Sequence, residues 1–162
     1  MALIVERLQL TLEGARVAVA AAEKRAQQMG VPMNIAVVDD GGHLVAFVRM
    51  DQSKPSSVAI AINKAHSAAI RRQRTGPAMA EGQPNVVLSL GLAIGSHAAQ
   101  TPIRGGIPLT VGDRVVGAVG VSAGSEEQDC EVAQAGAEAF GAACRAEPAE
   151  QRGFEAIEDE RP

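Results

Sequence analysis

The sequence predicts an α+β fold in which helices pack on an antiparallel sheet of about five strands. Two observations support this prediction. Two pairs of β-branched segments are each joined by a short Asp/Gly turn, and Ala-rich segments with helical spacing precede, separate and follow these pairs. A chain of 162 residues has the size of one domain. We expect that domain over residues 1–144, and an acidic, mobile tail over residues 145–162.

The first helix and the first hairpin follow from local signals. Thr11 can cap a helix over Leu12 to Met29, and Gly30 provides a C-terminal stop. The segments Ile35 to Val38 and Leu44 to Arg49 then alternate around a tight Asp/Gly turn. The sequence thus predicts a helix followed by a hairpin.

The middle of the chain begins with a clear helix and then becomes irregular. Pro55 and Ser56 open the second helix, and Gly76-Pro77 is expected to stop it. Glycines and a proline interrupt the apolar residues from 78 to 100, where short helical turns and one short strand are predicted.

The second hairpin and the last helix complete the predicted fold. The strands are expected over Ile107 to Val111 and Val115 to Val121. Ser125 can cap a helix that runs to about Cys144, with acidic residues in its first turn. This order of elements resembles the profilin or sensor-domain type of sandwich.

Composition limits the classes of partner. The net charge is −4, of which −3 falls from Arg145 onward, so no clustered basic face for nucleic acid is expected. No run is long and apolar enough for a signal peptide or a membrane span, and a cytoplasmic protein is predicted. With only three aromatic residues, burial between subunits is expected to add to the core, which predicts a homo-oligomer.

The segment Arg104-Gly105-Gly106-Ile107-Pro108 is the candidate ligand-binding loop. Adjacent glycines permit close backbone approach, and the proline imposes an extended exit. We expect Lys64 or Arg104 to meet an anionic ligand while the Gly105 and Gly106 amides donate hydrogen bonds. The predicted ligand-binding set is Lys64, Arg104, Gly105, Gly106 and Ile107. A lysine in mid-helix is more often a solvated charge, so both interpretations of Lys64 stay open.

Four ordered segments of the chain resemble the GlcG/HbpS family, over roughly residues 8 to 144. They are Ile35 to Asp39 with Gly41 to Leu44 and Arg49 to Asp51; Asn63 to Ala65 with Ser67 to Ala69; Gly105 to Pro108; and Val116 to Ser122. The resemblance implies the α+β fold and assembly as a dimer, tetramer or octamer. Members include a protein encoded with glycolate oxidation genes, the C-terminal domain of PduO-type cobalamin adenosyltransferases, and an extracellular haem-binding partner of a sensor kinase.

The same resemblance makes haem an alternative cofactor. Because tyrosine is absent, an axial ligand would come from His43, His66, His97, a methionine or a thiolate. His66 is the haem-ligand candidate because it lies beside the Lys-Ala pair of the second helix. The scarcity of aromatic residues argues against haem as the primary cofactor, and no motif requires any cofactor. No Cys/His spacing typical of a metal site is present.

The sequence is compatible with three functions. The first is a small-molecule-binding or accessory protein of a catabolic or biosynthetic pathway, with its pocket near the Gly-Gly-Ile-Pro loop. The second is an enzyme of isomerase, hydratase or lyase type acting on a small oxygenated anion in that pocket, with Lys64 and His66 as catalytic candidates. The third is a haem- or corrinoid-binding protein.

Overall fold

The computed structural model describes residues 3–4, 7–97 and 99–147. Its helices are α1 (Leu12–Met29), α2 (Val58–Arg71), α3 (Val86–Gly95) and α4 (Glu126–Ala146), and a 3-10 turn over Pro55–Ser57 precedes α2. Its strands are β1 (Asn34–Asp39), β2 (Leu44–Arg49), β3 (Met79–Ala80), β4 (Gln83–Pro84), β5 (Gly106–Val111) and β6 (Arg114–Ser122). Among the described residues, no helix is both long and apolar enough to cross a bilayer.

Four strands form the antiparallel sheet that organises the molecule. Their order is β2-β1-β6-β5, so β1 and β6 are central and the two predicted hairpins lie side by side. The α+β prediction is confirmed, with four strands in this sheet. The short strand expected between residues 78 and 100 pairs instead in a separate two-stranded ribbon, β3 with β4.

The sheet separates two apolar layers. Helices α1 and α4 cover one face over the larger core, which includes Ile35, Val119 and Phe140. Helix α2 covers the other face, where its buried apolar side chains are all alanines, and a Cβ on Gly120 would overlap the backbone of Ala61 and Ala65. Glycine at this position therefore lets the axis of α2 approach the sheet closely.

Local caps fix most helix ends. The Thr11 hydroxyl accepts from the Gly14 amide, Gly30 adopts a left-handed conformation, and Ser125 with Gln128 forms a capping box. Helix α2 ends earlier than predicted, because Arg72 takes a left-handed conformation (φ 54°) and its amide caps the α2 carbonyls. Helix α4 runs to Ala146, two residues into the predicted tail, and residues 148–162 lie outside the described residues.

Residues 76–104 form an excursion from the main sheet, which we call the arm. It contains β3, β4 and α3, so the irregular region predicted here includes a ten-residue helix. The arm is closed at its base, where the Thr75 amide donates to the Gly106 carbonyl (3.0 Å) and the Gly106 amide donates to Thr75 Oγ1 (2.8 Å). The candidate ligand-binding loop is therefore the return point of the arm.

Candidate functional site

Lys64 is buried between α2 and the sheet, with 1% of its side chain exposed. Nζ donates to the Val121 carbonyl at 2.8 Å and to Asp129 Oδ2 at 2.7 Å. The interpretation of Lys64 as a solvated charge is therefore wrong. Its ammonium group stays inside the protein because a carboxylate and a carbonyl replace the lost water.

Asp129 is the counter-ion that sequence reasoning missed. It stands in the first turn of α4, where the helix dipole alone accounts for a carboxylate. Its side chain points inward instead, and Oδ1 also accepts from the Gly124 amide at 3.0 Å. The pair joins residues 65 apart in sequence and fastens α2 to α4 across β6.

Gly105 lies directly over this ion pair. It adopts φ +114°, and a Cβ built there would be 3.0 Å from Lys64 Nζ and 2.9 Å from the Val121 carbonyl oxygen. The Gly105 carbonyl accepts from the Val121 amide at 2.9 Å, whereas its own N–H has no acceptor among the described residues. The Lys64 ammonium likewise has two acceptors for three hydrogens. The Gly105 N–H and one hydrogen of the adjacent Lys64 ammonium are therefore two donors without an acceptor among the described residues.

The other residues of the predicted set have different environments. The Gly106 amide is occupied by Thr75 Oγ1, and the Ile107 side chain is buried in the larger core. Arg104 is exposed at the mouth of the loop, beside Gly76, and has no ion pair among the described residues. The structure therefore places Lys64 and Gly105 together, with Arg104 at the rim.

Cys130 also lies near the ion pair, in the first turns of α4. Burial raises the pKa of its thiol, and the nearby charges of Lys64 and Arg104 only partly oppose this effect. A thiol with a raised pKa is protonated at neutral pH and is a poor nucleophile. Cys130 and Cys144 do not form a disulfide.

His66 forms a separate polar contact on α2. Its Nδ1 lies 3.0 Å from the Gly42 carbonyl oxygen in the first hairpin turn. A carbonyl can only accept a hydrogen bond, so the proton of the neutral ring is on Nδ1 and Nε2 carries the lone pair. His66 is half-buried, and its Nε2 has no partner among the described residues.

The turn that receives His66 is fixed by Asp39. Burial alone would raise the pKa of this carboxyl, but hydrogen bonds from the His43 and Gly41 amides and the neighbouring His43 ring lower it below its ordinary value. His43 is exposed and contacts Asp39 Oδ1 at 3.3 Å, and His97 is exposed after α3. No cluster of three or more metal-ligating side chains occurs among the described residues.

A surface cleft of about 420 Å³ lies at the opposite end of β5 from Gly105. It is lined by Arg7, Leu8, Asp40, Arg72, Asp113, Arg114 and Val115. Arg7 forms an ion pair with Asp40, which ties the segment before α1 to the first hairpin turn. None of the predicted ligand-binding residues lines this cleft.

Comparison with known proteins assigns this chain to a family. The family model for the haem degrading protein HbpS-like group matches residues 10–138. Protein GlcG of Escherichia coli K12 is 37% identical over 113 residues, which cover 70% of this chain and 81% of GlcG. The crystal structure of Klebsiella pneumoniae protein ORFY is 33% identical with a TM-score of 0.79, covering 88% of this chain and 97% of ORFY.

A haem complex is among the similar solved structures. PduOC, crystallised as a complex with haem, is 26% identical with a TM-score of 0.70, covering 81% of this chain and 94% of PduOC. The resemblance stated from the four ordered segments is therefore confirmed at the level of both sequence and fold. This chain belongs to the HbpS-like family, which includes relatives such as GlcG.

Proposed function

We propose that this protein is a small-molecule-binding accessory protein of a catabolic or biosynthetic pathway, and that its anionic ligand binds at Gly105. The observation that carries the proposal is the pair of unused donors there, the Gly105 N–H and the third hydrogen of the Lys64 ammonium. Buried hydrogen-bond donors normally have an acceptor. Two neighbouring donors that lack one are therefore suited to bind an oxygen atom of a ligand.

The charge around Gly105 suits a carboxylate or an enolate oxygen. Asp129 already offsets the charge of Lys64, so the ammonium contributes hydrogen bonding more than net attraction. Arg104 at the rim forms no ion pair among the described residues, although its charge interacts with the nearby Glu127 carboxylate, and it supplies the positive charge. An anion would then meet Arg104 first and the two buried donors second.

The direct test is a binding screen with small hydroxy acids and phenolic acids. We expect at least one compound to raise the melting temperature and to appear as a bound mass in native mass spectrometry, because a ligand that binds the folded state stabilises it. If no compound in the panel produces either effect, the anionic-ligand proposal fails.

A matched pair of arginine variants locates the binding. Arg104→Ala is expected to weaken the best binder about tenfold or more, the loss typical of one charge-assisted hydrogen bond. Arg114→Ala removes an exposed arginine at the far end of β5 and is expected to leave affinity unchanged. Equal losses in the two variants would contradict binding at Gly105.

Haem binding is a second candidate, and His66 supports it. Metal-ligating histidines commonly donate their other ring N–H to a carbonyl, which is the contact that His66 Nδ1 makes with Gly42. The lone pair on Nε2 would be the axial donor to the haem iron. PduOC, a similar protein, has been crystallised with haem, which adds to the support.

Haemin titration tests this second candidate separately. We expect the Soret maximum of added haemin to shift and sharpen on binding, this shift to be lost or altered in His66→Ala, and His97→Ala, at an exposed histidine, to leave the spectrum of the complex unchanged. An unaltered spectrum in His66→Ala would exclude His66 as the ligand. A Soret maximum that stays at the position of free haemin would end the haem candidate and leave the anion proposal intact.

A further inference from the structure

Helix α3 exposes an apolar surface that no other described part of the chain covers. Its ten residues, Val86–Gly95, include no charged side chain, and its Ser89 is its one buried residue. Val87 is 82% exposed and Ile94 is 75% exposed, and three further aliphatic side chains of the helix are exposed with them: Val86, Leu88 and Leu90. This is the reverse of a surface helix, which turns its apolar side chains toward the core.

The exposure follows from the position of the arm. Helix α3 has no extensive contact with the four-stranded sheet or with α1, α2 and α4, and the arm is held at its base by Thr75 and Gly106. Met79 on β3 and Ile103 are exposed as well, so the described part of the arm carries seven exposed large aliphatic side chains, counting the five of α3. Monomeric soluble proteins rarely expose large contiguous apolar patches, and such patches mark interaction sites.

We infer that α3 packs against α3 of a second copy of this chain, in a two-fold symmetric contact that crosses near Gly91. A two-fold interface places one surface against itself, so it must be free of like charges, and α3 carries none. A Cβ added at Gly91 or Gly95 would contact nothing within 4 Å, so both glycines leave room for a close helix–helix approach.

The near absence of charge on the arm argues against a lipid membrane or a charged protein as the binding partner of α3. Residues 76–103 contain no lysine or arginine and a single acidic residue, Glu81. A surface that binds anionic lipids would carry basic or aromatic residues around its apolar part. A surface that binds a charged protein would carry charges of the opposite sign. A second uncharged apolar surface is what this helix complements.

Self-association through α3 does not depend on the proposed ligand. The arm returns to the main sheet at Gly106, next to Gly105. A contact through α3 would therefore restrain the arm but would not supply any residue to the Gly105 site. Binding could fail while the dimer forms, and the reverse also holds. The two proposals are therefore tested by different measurements.

Sedimentation velocity without added haemin or ligand tests the contact. We expect wild-type protein at micromolar concentration to have at least twice the 16.7 kDa chain mass, and the double variant Val87→Glu/Ile94→Glu to fall to half of the wild-type mass or less. Leu12→Glu, a matched change at an exposed leucine in the first turn of α1, should keep the wild-type mass. A monomeric wild type, or a double variant with unchanged mass, would overturn the inference.

Cross-linking provides a second readout that does not depend on how well the charged variant folds. Gly91→Cys places a thiol where the two helices cross, and mild oxidation should give a covalent dimer on a denaturing gel. Asp113→Cys, in the exposed turn between β5 and β6, and the wild-type cysteines provide the background. Cross-linking of Gly91→Cys no greater than that background would contradict an α3 crossing at this residue.

Discussion

Lys64→Met is expected to lower the free energy of unfolding by about 3–5 kcal/mol, because it leaves the Asp129 carboxylate buried without its cation. Asp129 would keep the hydrogen bond from Gly124 but lose the ammonium at 2.7 Å. Urea unfolding at neutral pH, followed by circular dichroism, measures the change. A loss of this size approaches half the stability of an ordinary domain.

The double variant Lys64→Met/Asp129→Asn separates the charge from the packing. Asparagine retains an oxygen for the Gly124 amide and removes the buried charge, so most of the lost stability should return. If the single and double variants unfold at the same urea concentration, the cost comes from packing of the lysine stem. The ion pair would then not be the element that fastens α2 to α4.

Gly106→Ala is expected to cost about 2–3 kcal/mol, because overpacking displaces main chain rather than a flexible side chain. A Cβ at this position would overlap the Lys64 carbonyl and would lie 2.6 Å from Thr75 Cγ2. Helix α2 and the base of the arm would have to move away from β5. Thermal unfolding of the variant against wild type measures the loss.

Gly141→Ala is the matched control for this substitution. Gly141 lies within α4, and its added Cβ would approach only the flexible Arg145 guanidinium, at 3.4 Å. Alanine in a helix interior should raise stability by about 0.5–1 kcal/mol. Equal effects at positions 106 and 141 would mean that the close approach of β5 to α2 does not constrain the fold.

The parts of the fold that could be predicted are those with local signals. Thr11 and Gly30 delimit α1, and Ser125 begins α4, because a cap needs only a few neighbouring residues. The early end of α2 could not be predicted in this way. Arg72 adopts a left-handed conformation that arginine rarely takes, whereas the sequence offers its clear stop at Gly76.

The candidate site was predicted only in part, because its partners are distant in sequence. Lys64 and Gly105 could be singled out as a lysine and a shaped loop, but nothing local pairs Lys64 with Asp129, which is 65 residues away. One signal was present in the helix. Ala61, Ala65 and Ala68 share the buried face of α2 with Lys64, and a lysine among alanines at that spacing indicates a buried charge that needs a counter-ion.

The exposure of α3 also lay beyond sequence reasoning. A ten-residue uncharged helix has the composition of a core element, and hydrophobicity alone places it inside. The arm carries it away from the sheet because both ends of the excursion are tied at Thr75 and Gly106. The composition indicates a homo-oligomer, but the exposed apolar surface of α3 can be identified only from the fold.

A crystal structure with the tightest-binding acid from the screen would show directly whether the ligand binds at Gly105. We expect an oxygen of the ligand within hydrogen-bonding distance of the Gly105 N–H or Lys64 Nζ, with Arg104 turned toward its charge. Ligand bound instead in the cleft lined by Arg72 and Arg114, with the Gly105 donors unoccupied, would contradict it.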